Sequence, residues 1–148
     1  VLEFNCRFGD PETQALLPRL QSDLLELLWT AARGETLPAA AEWSKGPAVG
    51  VVMASGGYPG STSKGDPIIG LERAWAVNGV EVFHAGTRRG PDRRLVTAGG
   101  RVLTVTGLGD TFAQARARAY EGVAAISFTG EQHRTDIALR AEEWEARR

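Results

Sequence analysis

The chain opens with Val1-Leu2-Glu3-Phe4-Asn5-Cys6-Arg7 and continues with Phe8-Gly9-Asp10-Pro11-Glu12-Thr13-Gln14. Polar and apolar side chains alternate from Leu2 to Arg7, and this pattern predicts a β-strand with Glu3, Asn5 and Arg7 on one face. Gly9 permits a tight turn, and Pro11 suits the first position of a helix. The segment therefore predicts a polar strand that leads at once into a strand-to-helix turn.

The three polar residues of this predicted strand have the chemistry of a phosphoryl-transfer site. Glu3 and Asn5 offer oxygen ligands that suit Mg²⁺, an ion that fills the rest of its shell with waters and nucleotide phosphates. Arg7 beside them would clamp an anion that forms next to the metal. The pattern is short, and the same residues also fit a solvated polar strand face. Both interpretations stay open on these residues alone.

The segment that follows predicts a helix and then a domain boundary. Ser22 predicts the start of the helix and Gly34 its end, and the leucines between them recur at the spacing of a core-facing stripe. A polar connection covers residues 35–47. We therefore expect a first domain over residues 1–34 and a second over residues 35–148.

The second predicted domain contains short strands followed by helices. Alternating or β-rich runs predict strands at residues 48–54, 80–85 and 101–106, separated by Gly-rich turns. Thr111, with Gln114 three residues later, forms a capping box that predicts a helix extending to residue 128. Strands grouped with covering helices predict an α+β architecture, a small sheet covered by helices.

Two Gly-rich loops of this domain carry one cation each. The first loop, residues 56–65, contains Lys64, and the second loop, residues 97–101, ends at Arg101. Backbone amides that turn inward beside a cation form a phosphate site. Two flexible hairpin connections would have the same composition. The residues alone leave both interpretations open.

The composition excludes several classes of function. The net charge of −1 gives no electrostatic attraction to nucleic acid or to an anionic membrane, so neither is an expected partner. No apolar run reaches the length of a membrane span, and the single cysteine excludes an internal disulfide, which fits the cytoplasm. The chain has no initiator Met and opens inside a strand pattern, so we expect a C-terminal piece of a longer protein.

The opening segment carries a family resemblance. Glu3-x-Asn5-x-Arg7 resembles the last-strand motif of the ATP-grasp ligases, and residues 7–14 resemble the signature of the phosphoribosylamine–glycine ligases (glycinamide ribonucleotide synthetases). Further matches follow in the family's order, and together they span nearly the whole chain. They are Gly57-Tyr58-Pro59-Gly60 with Lys64-Gly65, Phe83-His84-Ala85-Gly86-Thr87, residues 97–103 and His133-Arg134-Thr135-Asp136-Ile137.

The resemblance implies an ATP-dependent ligase of purine biosynthesis that joins glycine to 5-phosphoribosylamine through a glycyl phosphate. It implies Mg²⁺ or Mn²⁺ at Glu3 and Asn5, ATP as co-substrate and Arg7 as the catalytic cation. Asp10 and Glu12 would then orient the amine substrate or the ribose hydroxyls, while Lys64 and Arg101 would bind the substrate phosphate. Residues 1–34 would end an ATP-grasp domain, and residues 35–148 would form the family's C-terminal domain.

Two positions depart from the family pattern. Thr62 stands where the family usually has Tyr, which removes an aromatic contact from the first loop. Ala138 stands where Gly usually follows Asp136-Ile137, and we expect this change to alter only a helix entry.

Alternatives to the implied function remain. A sister ATP-grasp ligase for another amine or carboxylate would share the Glu3-x-Asn5-x-Arg7 strand but not the full signature at residues 7–14. A non-catalytic module for ligand or subunit contact is the alternative from another class. We find no phosphate-loop spacing, so we expect the chain alone to be inactive as a ligase. The sequence leaves a homo-oligomer open.

Overall fold

The computed structural model describes residues 4–148 and has the α+β architecture that the sequence predicts. Its first part consists of short helices: α1 (Thr13–Leu16), a 3₁₀ turn (Leu17–Arg19) and α2 (Leu24–Ala32). The remaining elements are five strands and three helices. They are β1 (Ala48–Ala54), α3 (Leu71–Trp75), β2 (Val80–His84), β3 (Thr87–Arg89), β4 (Leu95–Thr97), β5 (Arg101–Leu108), α4 (Phe112–Ala125) and α5 (Leu139–Glu145).

The main sheet has three strands in the order β1-β5-β2, and both pairings are antiparallel. Val105 at the centre of β5 faces Val51 on one side and Val82 on the other. Residues 102–107 of β5 are all buried, as expected for a central strand that is covered on both faces. β3 and β4 form a separate two-stranded hairpin.

Helices cover both faces of the main sheet. On one face α4 lies very close to β5: a Cβ at Gly107 would come within 2.2 Å of the carbonyl oxygen of Ala115. On the other face lies the N-terminal segment, where the Thr106 hydroxyl donates to the carbonyl of Gln14 at 2.9 Å. A Cβ at Gly50 would lie 3.9 Å from Cβ of Ala15. The sheet therefore presents one face to α4 and the other to α1.

The N-terminal segment departs from three predictions. Residues 4–7 form no strand, because alternation alone does not provide the neighbouring strand that a ladder requires. The leucine stripe of α2 is not part of the core, because none of its residues is buried. The helix cap is Asp23 rather than Ser22: its carboxylate accepts from the amides of Leu25 and Glu26 at 2.8 and 3.1 Å.

The predicted strands and the second helix are confirmed with small shifts. β1 has the predicted limits, β2 ends one residue earlier and β5 extends two residues further. The Thr111 hydroxyl accepts from the amide of Gln114 at 3.1 Å, so the predicted cap is present. The helix ends at Ala125 instead of residue 128, since Ile126 is already extended.

Candidate functional site

An ion pair joins the opening segment to the second Gly-rich loop. Arg101 Nη2 lies 3.0 Å from Asp10 Oδ2, and Arg101 Nη1 donates to the Asp10 carbonyl at 3.1 Å. The side-chain Nε2 of Gln14 donates to the other carboxylate oxygen, Asp10 Oδ1, at 2.9 Å. Both charged side chains remain partly exposed. Two of the predicted substrate-binding residues therefore lie in direct contact, and Arg101 is held by a carboxylate.

The two Gly-rich loops lie side by side. The amide of Gly65 in the first loop donates to the carbonyl of Thr97 in the second at 2.8 Å. Ser55 donates from its amide to Gly100 and from its hydroxyl to Gly99, at 2.8 and 3.0 Å. A Cβ at Gly100 would lie 2.5 Å from the Tyr58 ring, so only glycine permits this approach. The loops form one surface.

The other two predicted substrate-binding residues occupy different positions relative to this surface. Lys64 lies in the first loop and is exposed, and it forms no ion pair within residues 4–148. Glu12 immediately precedes α1 and is exposed. Its carboxylate folds back over Gly9, where an added Cβ would come within 2.6 Å of Glu12 Oε2.

The predicted metal strand is only partly described. Glu3 lies outside the described residues, and Asn5 and Arg7 are exposed. Arg7 donates to the carbonyl of Phe8 at 2.8 Å. Within residues 4–148 no group of three or more His, Cys, Asp or Glu side chains could hold a metal ion. The metal and catalytic roles of Glu3, Asn5 and Arg7 therefore stay predictions.

A depression beside the loops contains residues that the sequence did not indicate as site residues. Its volume is about 360 Å³, and it is lined by Val52, Ala54, Tyr58 and residues 132–134. Gln132 pairs through its backbone with Ala54 and donates from its side chain to the Tyr58 carbonyl at 3.0 Å. Ala54 is also the β1 partner of Arg101. The depression therefore adjoins the ion pair between Arg101 and Asp10.

Arg134 is the cation of this depression, and its neighbour orients it. Its Nε donates to Asp136 Oδ1 at 2.9 Å and its Nη2 to Oδ2 at 2.6 Å. These hydrogen bonds raise the pKa of Arg134 and lower the pKa of Asp136 from their ordinary values. Tyr120 accepts from the Ile137 amide and donates to the Arg134 carbonyl, which fixes the segment against α4. In the sequence, the only indication that Arg134 could belong to a site was its place in the motif at residues 133–137.

The fold is a small α+β domain in which the N-terminal segment, the two Gly-rich loops and the segment around Arg134 adjoin one another. Comparison with known families matches residues 48–140 to the family described as phosphoribosylglycinamide synthetase, C domain. Because this match covers well over half of the chain, the chain belongs to that family.

Individual relatives agree with this assignment. The chain is 52% identical over 143 residues to a phosphoribosylamine–glycine ligase of a Nostoc species, covering 95% of this chain and 33% of the relative. It is 49% identical over 145 residues to the ligase of Salmonella typhimurium, covering 98% of this chain and 34% of that relative. The chain therefore spans about a third of the length of the curated relatives it matches.

A solved structure shows the same fold. The crystal structure of the phosphoribosylamine–glycine ligase from Thermotoga maritima matches with a TM-score of 0.75 and 35% sequence identity. The match covers 92% of this chain and 32% of that chain.

Every helix within residues 4–148 is too short or too polar to cross a lipid bilayer.

Proposed function

We propose that the chain is the C-terminal part of a cytoplasmic phosphoribosylamine–glycine ligase of purine biosynthesis, called the whole ligase below. The substrates would be glycine, 5-phosphoribosylamine and ATP. Membership of the C-domain family and the relatives' shared name support this proposal. They also favour it over a sister ATP-grasp ligase that acts on another amine or carboxylate.

The chemistry consists of two transfers. Glycine's carboxylate is a poor electrophile, so one of its oxygens attacks the γ-phosphorus of ATP, and ADP leaves as glycyl phosphate forms. The amine of phosphoribosylamine then attacks the glycyl carbonyl, its C–N bond forms, and phosphate and a proton leave. In this proposal Arg7 stabilises charge on the transferring phosphoryl group.

The proposed cation site consists of Glu3 and Asn5. One carboxylate and one amide oxygen suit Mg²⁺ or Mn²⁺, since such ions complete their shells with water and nucleotide phosphates. When bound, the ion would neutralise charge on the nucleotide phosphates. The donor set therefore fits the ion that the family implies, and Arg7 would supply the remaining positive charge beside it.

The observation that carries the substrate assignment is the contact between Arg101 and Asp10. Asp10 belongs to the signature at residues 7–14, and Arg101 ends the second loop. The Asp10 carboxylate orients the Arg101 guanidinium and occupies some of its N–H donors. Because Arg has five such donors, others remain for a phosphate. We infer that Arg101 binds the substrate phosphate as a partner of Asp10 rather than alone. Exposed Lys64 in the adjacent loop would add a second positive charge, and Glu12 would face the amine end.

The test is steady-state kinetics of the whole ligase with Arg101→Ala. A charge-assisted phosphate contact is worth roughly 1.5–3 kcal/mol, so kcat/KM for phosphoribosylamine should fall on the order of ten- to hundredfold. KM for that substrate should rise while KM for ATP stays nearly unchanged. Lys64→Ala should act in the same direction but less, because an ammonium lacks the bidentate geometry of Arg.

Two controls distinguish substrate binding from a structural role. Arg88→Ala removes an exposed arginine of β3 and should leave both KM values unchanged. Asp10→Asn keeps the shape of the partner but removes its charge, so its effect should not add to that of Arg101→Ala. An Arg101→Ala enzyme with a normal KM for phosphoribosylamine would refute the assignment.

The exposed surface of the N-terminal segment supports the proposed domain division. Phe4, Phe8, Leu25 and Trp29 are exposed. Apolar surface of this extent marks a contact with another domain or molecule. We infer that residues 1–34 end the ATP-grasp domain, whose other residues cover this surface, and that residues 35–148 form the C-terminal domain.

A further inference from the structure

The β3–β4 hairpin concentrates positive charge in a way that the proposed ligase site does not use. It carries Arg88 and Arg89 on one strand and Arg93 and Arg94 near the other. Arg94 lies 3.3 Å from Asp92, which neutralises part of its charge. Arg89 and Arg93 form no ion pair with any carboxylate of residues 4–148. The hairpin therefore presents at least two uncompensated cations.

These cations line one side of a cleft between the hairpin and α3. Arg89, Arg93 and Arg94 contribute to one wall, and Ile69, Glu72 and Trp75 contribute to the other. Trp75 remains 48% exposed and Ile69 58% exposed, so both keep apolar surface open to a ligand. The cleft has a volume of about 520 Å³, which lies within the range of small-molecule sites.

Backbone hydrogen bonds hold the α3 wall in place on both sides. The Ile68 amide donates to the Leu95 carbonyl at 2.9 Å, which ties this wall to β4. Ile69 and Ser127 exchange both of their backbone hydrogen bonds at 3.0 Å. Arg73 Nη2 donates to the Ala125 carbonyl at 2.8 Å, so this arginine is directed to α4. The backbone of the α3 wall is therefore held in place by the rest of the fold.

The turn of the hairpin keeps an arginine where the backbone disfavours it. Arg93 has a φ of 65°, in the left-handed region that favours Gly or Asn. Its amide donates to the Gly90 carbonyl at 2.9 Å, and the Gly90 amide donates to Arg94 at 2.8 Å. Arg89 Nη1 donates to the carbonyl of Arg93 at 3.1 Å. These hydrogen bonds hold Arg89 and Arg93 next to each other at the turn.

We propose that this cleft binds a nucleoside monophosphate. The Trp75 ring offers a face on which a base can stack. Arg89 and Arg93 match the charge and the geometry of a phosphate group. The Glu72 carboxylate can accept hydrogen bonds from ribose hydroxyls. Base, ribose and phosphate each have a partner in one cleft, which distinguishes this ligand from a simple anion.

The test is calorimetric titration of the 148-residue chain with AMP. We expect saturable binding, with a dissociation constant that rises about tenfold or more for Arg89→Gln. Arg93→Asn should weaken binding similarly without lowering the melting temperature, because Asn tolerates the left-handed backbone. Trp75→Leu should also weaken binding. Arg88→Gln is the matched control: it makes the same charge change at the adjacent residue, which does not line this cleft, and it should bind AMP normally.

Three results would overturn the proposal. One is the absence of binding at millimolar AMP, and another is binding that none of the cleft substitutions weakens. The third is inorganic phosphate that binds as tightly as AMP, because the base would then contribute nothing. A single-stranded RNA oligomer that binds far more tightly than AMP, with the same sensitivity to Arg89→Gln, would show a different class of ligand and would also refute it.

Discussion

At the scale of single residues, Ala138 shows how one departure from the family pattern acts. It immediately precedes α5 with a φ of 61°, a left-handed conformation that a residue with a Cβ adopts at a cost. The position is one where Gly usually follows Asp-Ile in the family that the sequence resembles. The departure therefore affects the entry of a helix, as the sequence predicts, and it does so through the backbone.

Ala138→Gly should raise the free energy of unfolding. Relief of the left-handed strain stabilises the folded state by roughly 1–2 kcal/mol, and the greater freedom of glycine in the unfolded chain offsets part of this gain. Chemical denaturation of the 148-residue chain measures the net change, which should be positive and below about 1.5 kcal/mol. Ala146→Gly, at the other end of α5 with an ordinary φ of −64°, is the control and should stabilise nothing. A loss of stability in Ala138→Gly would contradict the strain assignment.

At the scale of elements, α4 packs directly against the backbone of β5. Gly107 of β5 lies against the helix backbone, where an added Cβ would meet the carbonyl of Ala115 at 2.2 Å and the amide of Ala119 at 2.4 Å. Neither contact can be relieved by a side-chain rotation, because both atoms belong to the helix backbone. The helix and the strand must therefore separate to admit even one methyl group.

Gly107→Ala should consequently destabilise the fold by on the order of 3 kcal/mol, at the upper end of the cost of overpacking a core. Gly50→Ala on β1 is the matched control, because a Cβ there meets its nearest neighbour only at 3.4 Å. Thermal unfolding of the two variants should separate them clearly. Equal melting temperatures would contradict the close packing of α4 on β5.

The sequence predicted best those elements that carry a strong local signal, either a long apolar run or a capping box. β1, β5 and α4 carry long apolar runs or a capping box, so their limits came out within a few residues. β3, β4 and α3 were not predicted, because such short elements show no clear apolar period of their own. The predicted strand at the start failed over residues 4–7, because alternation alone cannot supply a partner strand.

The sequence indicates Lys64 and Arg101 as candidate site residues because each lies in a Gly-rich loop. The ion pair between Arg101 and Asp10 joins residues 91 positions apart, so no local pattern predicts it. Arg134 lies in a motif to which the sequence assigns no role, and the pairing of Gln132 with Ala54 brings it beside the first loop. Pairings between distant segments are set by the whole fold, which local patterns do not specify.

At the scale of the whole molecule, α2 carries large apolar side chains that nothing in residues 4–148 covers. Leu25 is 74% exposed and Trp29 61% exposed, although the helix has the amphipathic spacing of a buried one. The chain also spans about a third of the length of its relatives. We infer that the remaining two thirds of the whole ligase cover these side chains.

The same substitution should therefore have different effects in the chain and in the whole ligase. Leu25→Asp should change the stability of the 148-residue chain by less than about 0.5 kcal/mol, because the side chain is exposed there. In the whole ligase it would bury a charge at a domain contact and should lower stability by about 2 kcal/mol or more. Denaturation curves of both proteins give the two values, and Glu26→Gln on the same helix is the control. Equal effects would contradict the inferred contact.

The proposal that this chain completes a phosphoribosylamine–glycine ligase is tested most directly by product formation. The measurement compares the whole ligase and the 148-residue chain, each supplied with glycine, phosphoribosylamine and Mg·ATP. We expect the whole ligase to form glycinamide ribonucleotide and ADP in equal amounts, only when all three substrates are present, and we expect the chain alone to form none. A folded whole ligase that consumes ATP without consuming glycine, or that forms no product from the complete mixture, would contradict the account.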